Sequence, residues 1–325
     1  MNDNSKTSTM KMKTLLLISL LSIFLGAISC VIGEFILPFL AGALAVVYLF
    51  DSNKYRLCSV ILSIVLLIIN LVGFLTVRTV TLFAPAAIIL ALIISLSFSK
   101  RESKSDAAYL MTIISAAFSV VKYILYAMVD QGEYTFEAVK VFFTDLHDSL
   151  RLVVIESFTE IYAASGLAIG EDIIAAVFDM QVKMMISYIL IGGFVTTGIA
   201  MKTFGVIVSR FSDDKKSISE WRFKATNIFA YSYMILVLLS VFMVSADNIF
   251  AVSVLNLYNL FLVIFAYVGF NVATTQFFKN VRPLFAGLIV IVIICIFSSF
   301  ALQVLAVLGV MFTIRSNNQN RIQNS

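Results

Sequence analysis

The sequence predicts an all-α integral membrane protein, a polytopic bundle of 8–10 transmembrane helices with one amphipathic helical insert. Three observations carry this. Of 325 residues, 61% are hydrophobic and only 13% charged, with a mean hydropathy of +1.01. Soluble domains are near half apolar and about a quarter charged. The apolar residues fall into long runs without charge, and the acids concentrate in one segment. This composition excludes a soluble enzyme, a nucleic-acid binder and a secreted disulfide scaffold.

A span needs roughly 20 apolar residues. Charge-free runs cover 14–33, 35–50, 57–77, 79–99, 184–201, 225–246, 248–278 and 283–314, and a ninth, 107–129, is broken only by Lys122. The first has a faint lipoprotein-like Ala27-Ile28-Ser29-Cys30, but the apolar run continues through Val31 and Ile32, so it reads as a retained anchor. The second has 16 residues with Pro38 and Gly42 and reads as short or re-entrant. The last has 32 and reads either as one tilted helix or as two short crossings. Pro38, Pro85 and Pro283 lie near the starts of runs, where a helix accepts them.

Between the fifth and sixth runs, residues 130–183 hold 10 of the 19 acids and 3 basic residues. Phe136, Val139, Phe143, Leu146, Leu150, Val153 and Ile161 recur at helical spacing. A break is expected at 165–170, after which Glu171 and Asp172 open a second helix, as acids near a helix N-terminus do. The pair lies on the bilayer or bundle, or forms a lid. Three segments result: a five-helix region, 1–129; the acidic insert, 130–183; and a region of about four helices, 184–325.

Orientation follows the excess of Lys and Arg in cytoplasmic loops. With a cytoplasmic N-terminus, fifteen basic residues fall inside and six outside, while Lys122 and Lys202 lie within spans. The expectation is a bacterial inner-membrane protein with an extracytoplasmic insert. Arg315 and Arg321 fall on the outer side and are the misfit.

Ionisable groups inside a membrane are functional candidates. Lys122 either snorkels or binds an anion with Tyr123 or Tyr126, whereas Lys202 reads as snorkelling. In the eighth run Asn256, Asn259, Tyr267, Asn271 and Thr274 share a face at about 100° per residue. Such a face bonds neighbouring helices or lines a solute pocket. Ser59, Ser63 and Asn70 share a weaker one. The candidate solute site therefore comprises Asn256, Asn259, Tyr267, Asn271, Lys122, Ser63 and Asn70. Small residues four apart, Ser22, Gly26 and Cys30, permit close helix contact. The basic loop 210–224 holds the only tryptophan, Trp221. Trp221 and Arg222, with Ser22 and Gly26, are the candidate contacts for lipid or a partner.

Catalytic patterns are missing. One histidine, His147, excludes a multi-histidine metal site. Its neighbours Asp145 and Asp148 do not share its helix face. The chain has no P-loop, no GxGxxG after a strand and no HExxH. Cys30, Cys58 and Cys295 sit in apolar runs without CxxC. The reading is non-enzymatic, with no metal and no cofactor.

The layout resembles the YybS-like family of bacterial membrane proteins, a family of unknown function. The likeness rests on the short run with Pro38, the middle insert, Trp221-Arg222, the Gly269 helix, and Leu308-Gly309-Val310 before Arg315. The family's proline after the Trp-Arg entry and acid after the closing Gly are replaced by Lys224-Ala225 and Met311-Phe312. The N-terminal part of that family is similar to substrate-binding subunits of energy-coupling-factor transporters. That similarity implies a vitamin-sized ligand and docking on a coupling subunit through small-residue helices. The expected function is a transporter-type, small-solute-binding membrane subunit without its own ATPase. The alternative is a non-catalytic scaffold for cell-envelope or division proteins. The expected partners are the bilayer, a small solute and other membrane proteins, not nucleic acid.

Overall fold

The computed structural model describes residues 12–50, 56–77, 82–100, 103–167, 169–211, 225–243, 248–274 and 283–323, and among them every regular element is helical. Among the described residues each apolar run contributes a helix. The first five are α1 (Met12–Ile32), α2 (Leu37–Phe50), α3 (Arg56–Val77), α4 (Phe83–Ser99) and α5 (Lys104–Gln131), with a 3-10 turn, Gly33–Ile36, between the first two. The insert forms α6 (Phe136–Ala164) and α7 (Glu171–Lys183). Then follow α8 (Met185–Phe211), α9 (Asn227–Met243), α10 (Ile249–Val272) and α11 (Pro283–Gln323). Six of the described helices, α1, α3, α5, α8, α10 and α11, are long and apolar enough to cross a membrane, and α2, α4 and α9 are shorter apolar helices.

The open question of the last run resolves to one unbroken helix of 41 residues. At 1.5 Å per residue it extends about 60 Å, beyond a bilayer of roughly 40–45 Å with its headgroups. The insert breaks where its sequence demands. Ser165 Oγ donates to the Ile161 carbonyl, and Gly166 takes a φ of +71°. That left-handed conformation suits glycine and ends α6. Thr135 starts it, its hydroxyl accepting from the Ala138 amide at 3.2 Å.

Packing divides the chain into two compact units: Met1–Asp179 with Gly192–Phe223, and Met180–Ile191 with Lys224–Ser325. The three segments read from charge and hydropathy cut the chain elsewhere, because patterning marks solvent preference and packing marks who touches whom.

In the first unit the short helix α2 is the centre, with 10 of its 14 residues buried. Leu40, Leu44, Val46 and Val47 are fully enclosed, and α1 and α4 pack on α2. Helices that follow one another run in opposite directions. The Tyr48 and Ser63 hydroxyls meet at 2.6 Å, closing the α2–α3 hairpin. The Phe98 and Phe204 rings pack edge to face 5.2 Å apart, and Gly42 lies against the Ala200 carbonyl. These contacts orient α8 back along the bundle. Five alternating helices precede the insert, so it emerges at the end opposite the start of α1. The outward faces are apolar, with Leu17, Leu20, Phe24 and Leu75 exposed, as a lipid-facing surface requires.

In the second unit α10 and α11 run antiparallel at backbone distance. A Cβ on Gly269 would overlap the Leu305 carbonyl, and one on Gly309 would overlap the Phe265 carbonyl. Only glycine permits this approach. Tyr233 of α9 stacks on Tyr258 of α10, rings 6.1 Å apart. Asn317 of α11 donates to the Ala225 carbonyl at 3.1 Å and to Asn227 Oδ1 at 2.9 Å.

Candidate functional site

The polar face of α10 is built from asparagines, and the structure places each of them. Between α7 and α8 the chain turns at a single residue, Met184. A helix end there leaves an unpaired carbonyl and a helix start leaves unpaired amides. Asn256 serves both. Its Oδ1 accepts from the Ser187 amide at 2.8 Å, and its Nδ2 donates to the Lys183 carbonyl at 3.0 Å. The same Nδ2 also donates to Val252 of its own helix at 2.9 Å. One buried carboxamide thus finishes α7 and starts α8. Asn259, one turn on, donates to Met184 Sδ at 3.0 Å. Ser187, fully buried, donates to the Met184 carbonyl at 2.8 Å. Tyr188 donates its hydroxyl to Gln181 across the same junction.

Asn271 and Thr274 bond to the backbone of their own helix. Asn271 Nδ2 donates to the Tyr267 carbonyl at 3.0 Å, and Thr274 Oγ1 donates to the Phe270 carbonyl at 2.9 Å. Tyr267 is exposed. The four α10 residues read as one site therefore divide, Asn256 and Asn259 at the junction and Tyr267 and Asn271 further along.

A groove opens beside the junction, with a volume of about 970 Å³. Its walls are Ile186 and Leu190 of α8, and Ile249, Val252, Leu257 and Leu260 of α10. Lys183 and Asn248 stand at its rim. Asn248 is held as the N-cap of α10, its Oδ1 accepting from the Ala251 amide at 2.8 Å. Asn256 lies on the groove wall, with its amide already engaged. Ser253 donates to the Ile249 carbonyl at 2.8 Å. The surface offered is consequently apolar, and a ligand held here is gripped by shape. The sequence singled out Asn256, which lines the groove, but did not reveal the groove itself. The missed signal is the apolar pattern Ile249, Leu257 and Leu260 flanking the asparagine.

The other expected site residues lie in the first unit. Ser63 bonds to Tyr48 and to the Ser59 carbonyl. Asn70 Oδ1 accepts from the Ala84 amide at 3.3 Å, serving the first turn of α4 where Leu82 supplies no side-chain cap. Lys122 Nζ stands 4.7 Å from the centre of the Tyr123 ring. Within this unit Ser63, Asn70 and Lys122 have separate surroundings. Ser22 is buried and donates to the Ile18 carbonyl, while a Cβ on Gly26 would overlap the Leu66 side chain. Cys30 Sγ lies 3.6 Å from the Ile69 carbonyl. At Gly26 and Cys30 the small-residue face of α1 is thus filled by this chain's own α3. Trp221 and Arg222 lie outside the described residues.

Ionic chemistry gathers in the insert. Arg151 Nε donates to Asp179 Oδ1 at 3.2 Å, and His147 Nε2 lies 3.6 Å from the same oxygen. Asp148 Oδ1 is 3.0 Å from His147 Nδ1, and the imidazole sits 5.5 Å from the Phe178 ring. The cluster clasps α6 to α7. Among the described residues no group of three or more His, Cys, Asp or Glu is placed to hold a metal ion.

No curated protein and no solved structure matches the chain. A family model does, over residues 14–311. Nine apolar helices among the described residues, lipid-compatible outer faces and a match over nearly the whole length agree, and the chain belongs to the family described as Predicted membrane protein (DUF2232).

Proposed function

We propose that this multi-pass membrane protein is a transporter-type subunit that binds a small solute and has no ATPase or other catalytic centre of its own. The carrying observation is the groove of about 970 Å³ beside Asn256. That volume lies at the upper end of ligand sites, roughly 300–1,000 Å³, which are mostly apolar with few polar groups. Its place in a bacterial inner membrane, N-terminus inside and residues 130–183 outside, is supported by fifteen basic residues on the inner side against six outside. The likeness to YybS-like proteins and to energy-coupling-factor subunits belongs to the same proposal. In this chain a coupling subunit would need a face other than Gly26, which α3 fills, and Ser22, which is buried.

The test is native mass spectrometry on protein purified gently from its own membrane. Leu257→Trp fills the groove from an exposed wall position and leaves the Asn256 bonds alone. A bound small mass in the wild type, lost in this variant, is the expected result. An unchanged bound mass removes the groove from the site.

A scaffold for envelope or division proteins is the second reading. It is favoured by α6, whose Leu146, Leu150, Val153, Phe158 and Ile161 are all exposed. Replacing residues 136–178 by a short linker separates the two. A scaffold loses its partner, while a solute binder keeps its ligand because Lys183 and α8 remain.

A further inference from the structure

The groove on α10 has a direction as well as a volume. Its rim carries Lys183 and Asn248, one at the end of α7 and the other at the start of α10. Its walls then follow α10 from Ile249 to Leu260. Over those residues a helix advances about 16 Å. Half of a hydrocarbon core of roughly 30 Å is close to that, so the groove has the depth of one leaflet. Along this length the polar side chains are already bonded within the protein, Ser253 to the Ile249 carbonyl and Asn256 at the helix junction. A polar solute entering here would lose its hydration with little in return. An acyl chain loses nothing. Lys183, exposed on the groove lining, already interacts elsewhere in the protein and adds its ammonium group to that lining.

We propose, resting on the solute-binding reading above, that the groove takes one acyl chain of a phospholipid from the adjoining leaflet, with the phosphate held at the Lys183 ammonium. The apolar wall supplies the grip and the lysine fixes which end of the lipid stays at the surface. The ligand class is a phosphate-bearing amphiphile rather than a water-soluble vitamin. A lipid enters such a groove sideways from the bilayer, so no aqueous channel is needed.

The experiment uses the full chain, delipidated in detergent and then offered phosphatidylglycerol, phosphatidylethanolamine or palmitate, with native mass spectrometry as the readout. The expected result is a single retained phospholipid. Leu257→Trp abolishes its retention, and Lys183→Gln weakens it by roughly fivefold, the weight of one exposed ion pair. Ser253→Trp, one turn away, repeats the block, and gel filtration confirms that each variant stays folded. Retention of palmitate but of neither phospholipid overturns the phosphate assignment. A water-soluble mass lost in Leu257→Trp, with no lipid bound, overturns the lipid proposal and leaves the solute-binding reading intact. Indifference of every bound mass to both tryptophan variants overturns both.

Discussion

The two compact units reach close packing by opposite means. In the first, α2 is wrapped by its neighbours through aliphatic side chains, and Leu40 and Leu44 are wholly enclosed. In the second, α10 and α11 meet backbone to backbone at Gly269 and Gly309, and asparagines fasten the margins. Both answer one problem. Lipid is as apolar as leucine, so burial in a bilayer offers helices no solvent-driven attraction, and packing and hydrogen bonds must hold them. Side-chain wrapping degrades gradually when one member changes. Backbone contact at a glycine does not, because the opposing atoms have no rotamer to adopt. The second unit is the more brittle of the two.

The strongest test of that contrast is Gly269→Leu. It drives a side chain into the Leu305 carbonyl, and we expect a cost at or above roughly 3 kcal/mol, with collapse of the second unit. Hydrogen exchange should rise throughout α9–α11 while α2 stays protected. Equal loss in both units would show that their stabilities are one. Next comes Leu44→Ala in the first unit, where a partly collapsing cavity costs about 2–3 kcal/mol. Its thermal midpoint should fall with the helix arrangement retained. Asn256→Leu removes three bonds at roughly 0.6 kcal/mol each, about 2 kcal/mol together. Its signature is local, faster exchange at the Ser187 amide, and an unchanged rate there would discard the junction role. The smallest effect is Asn70→Ala, which takes the cap from α4 at about 1 kcal/mol. Fraying confined to the first turn of α4 is the expected reading.

Hydropathy made the helices legible because each apolar run was continuous enough to form a helix, six of them long enough for a span and α2, α4 and α9 shorter. The insert was legible for a different reason. Its 3.6-residue period, its glycines at 166 and 170 and the acids at 171 and 172 mark both ends of the break. The polar stripe of α10 was visible, but its purpose was not. The residues that Asn256 serves, Lys183 and Ser187, are 73 and 69 positions away. Nothing in the local pattern says that α7 and α8 are separated by one residue there. Likewise Asn70 reads from the sequence as a pocket group, and the pattern gives no sign that it also accepts from the Ala84 amide at the start of α4, where Leu82 supplies no cap. The small residues of α1 showed that some helix could approach closely. Spacing alone does not distinguish α3 of this chain from a foreign partner.

The alternation of α1 to α5 settles a matter of access. Five helices, each running opposite to the one before, lead from the start of α1 to the insert, so the two lie at opposite ends of the first unit. In sealed vesicles of uniform orientation, a membrane-impermeant thiol reagent would modify a cysteine placed at Ser149 or one placed just before α1, never both from the same side. A reagent confined to the side of the His147–Asp179 clasp is therefore expected to miss a cysteine at the start of α1.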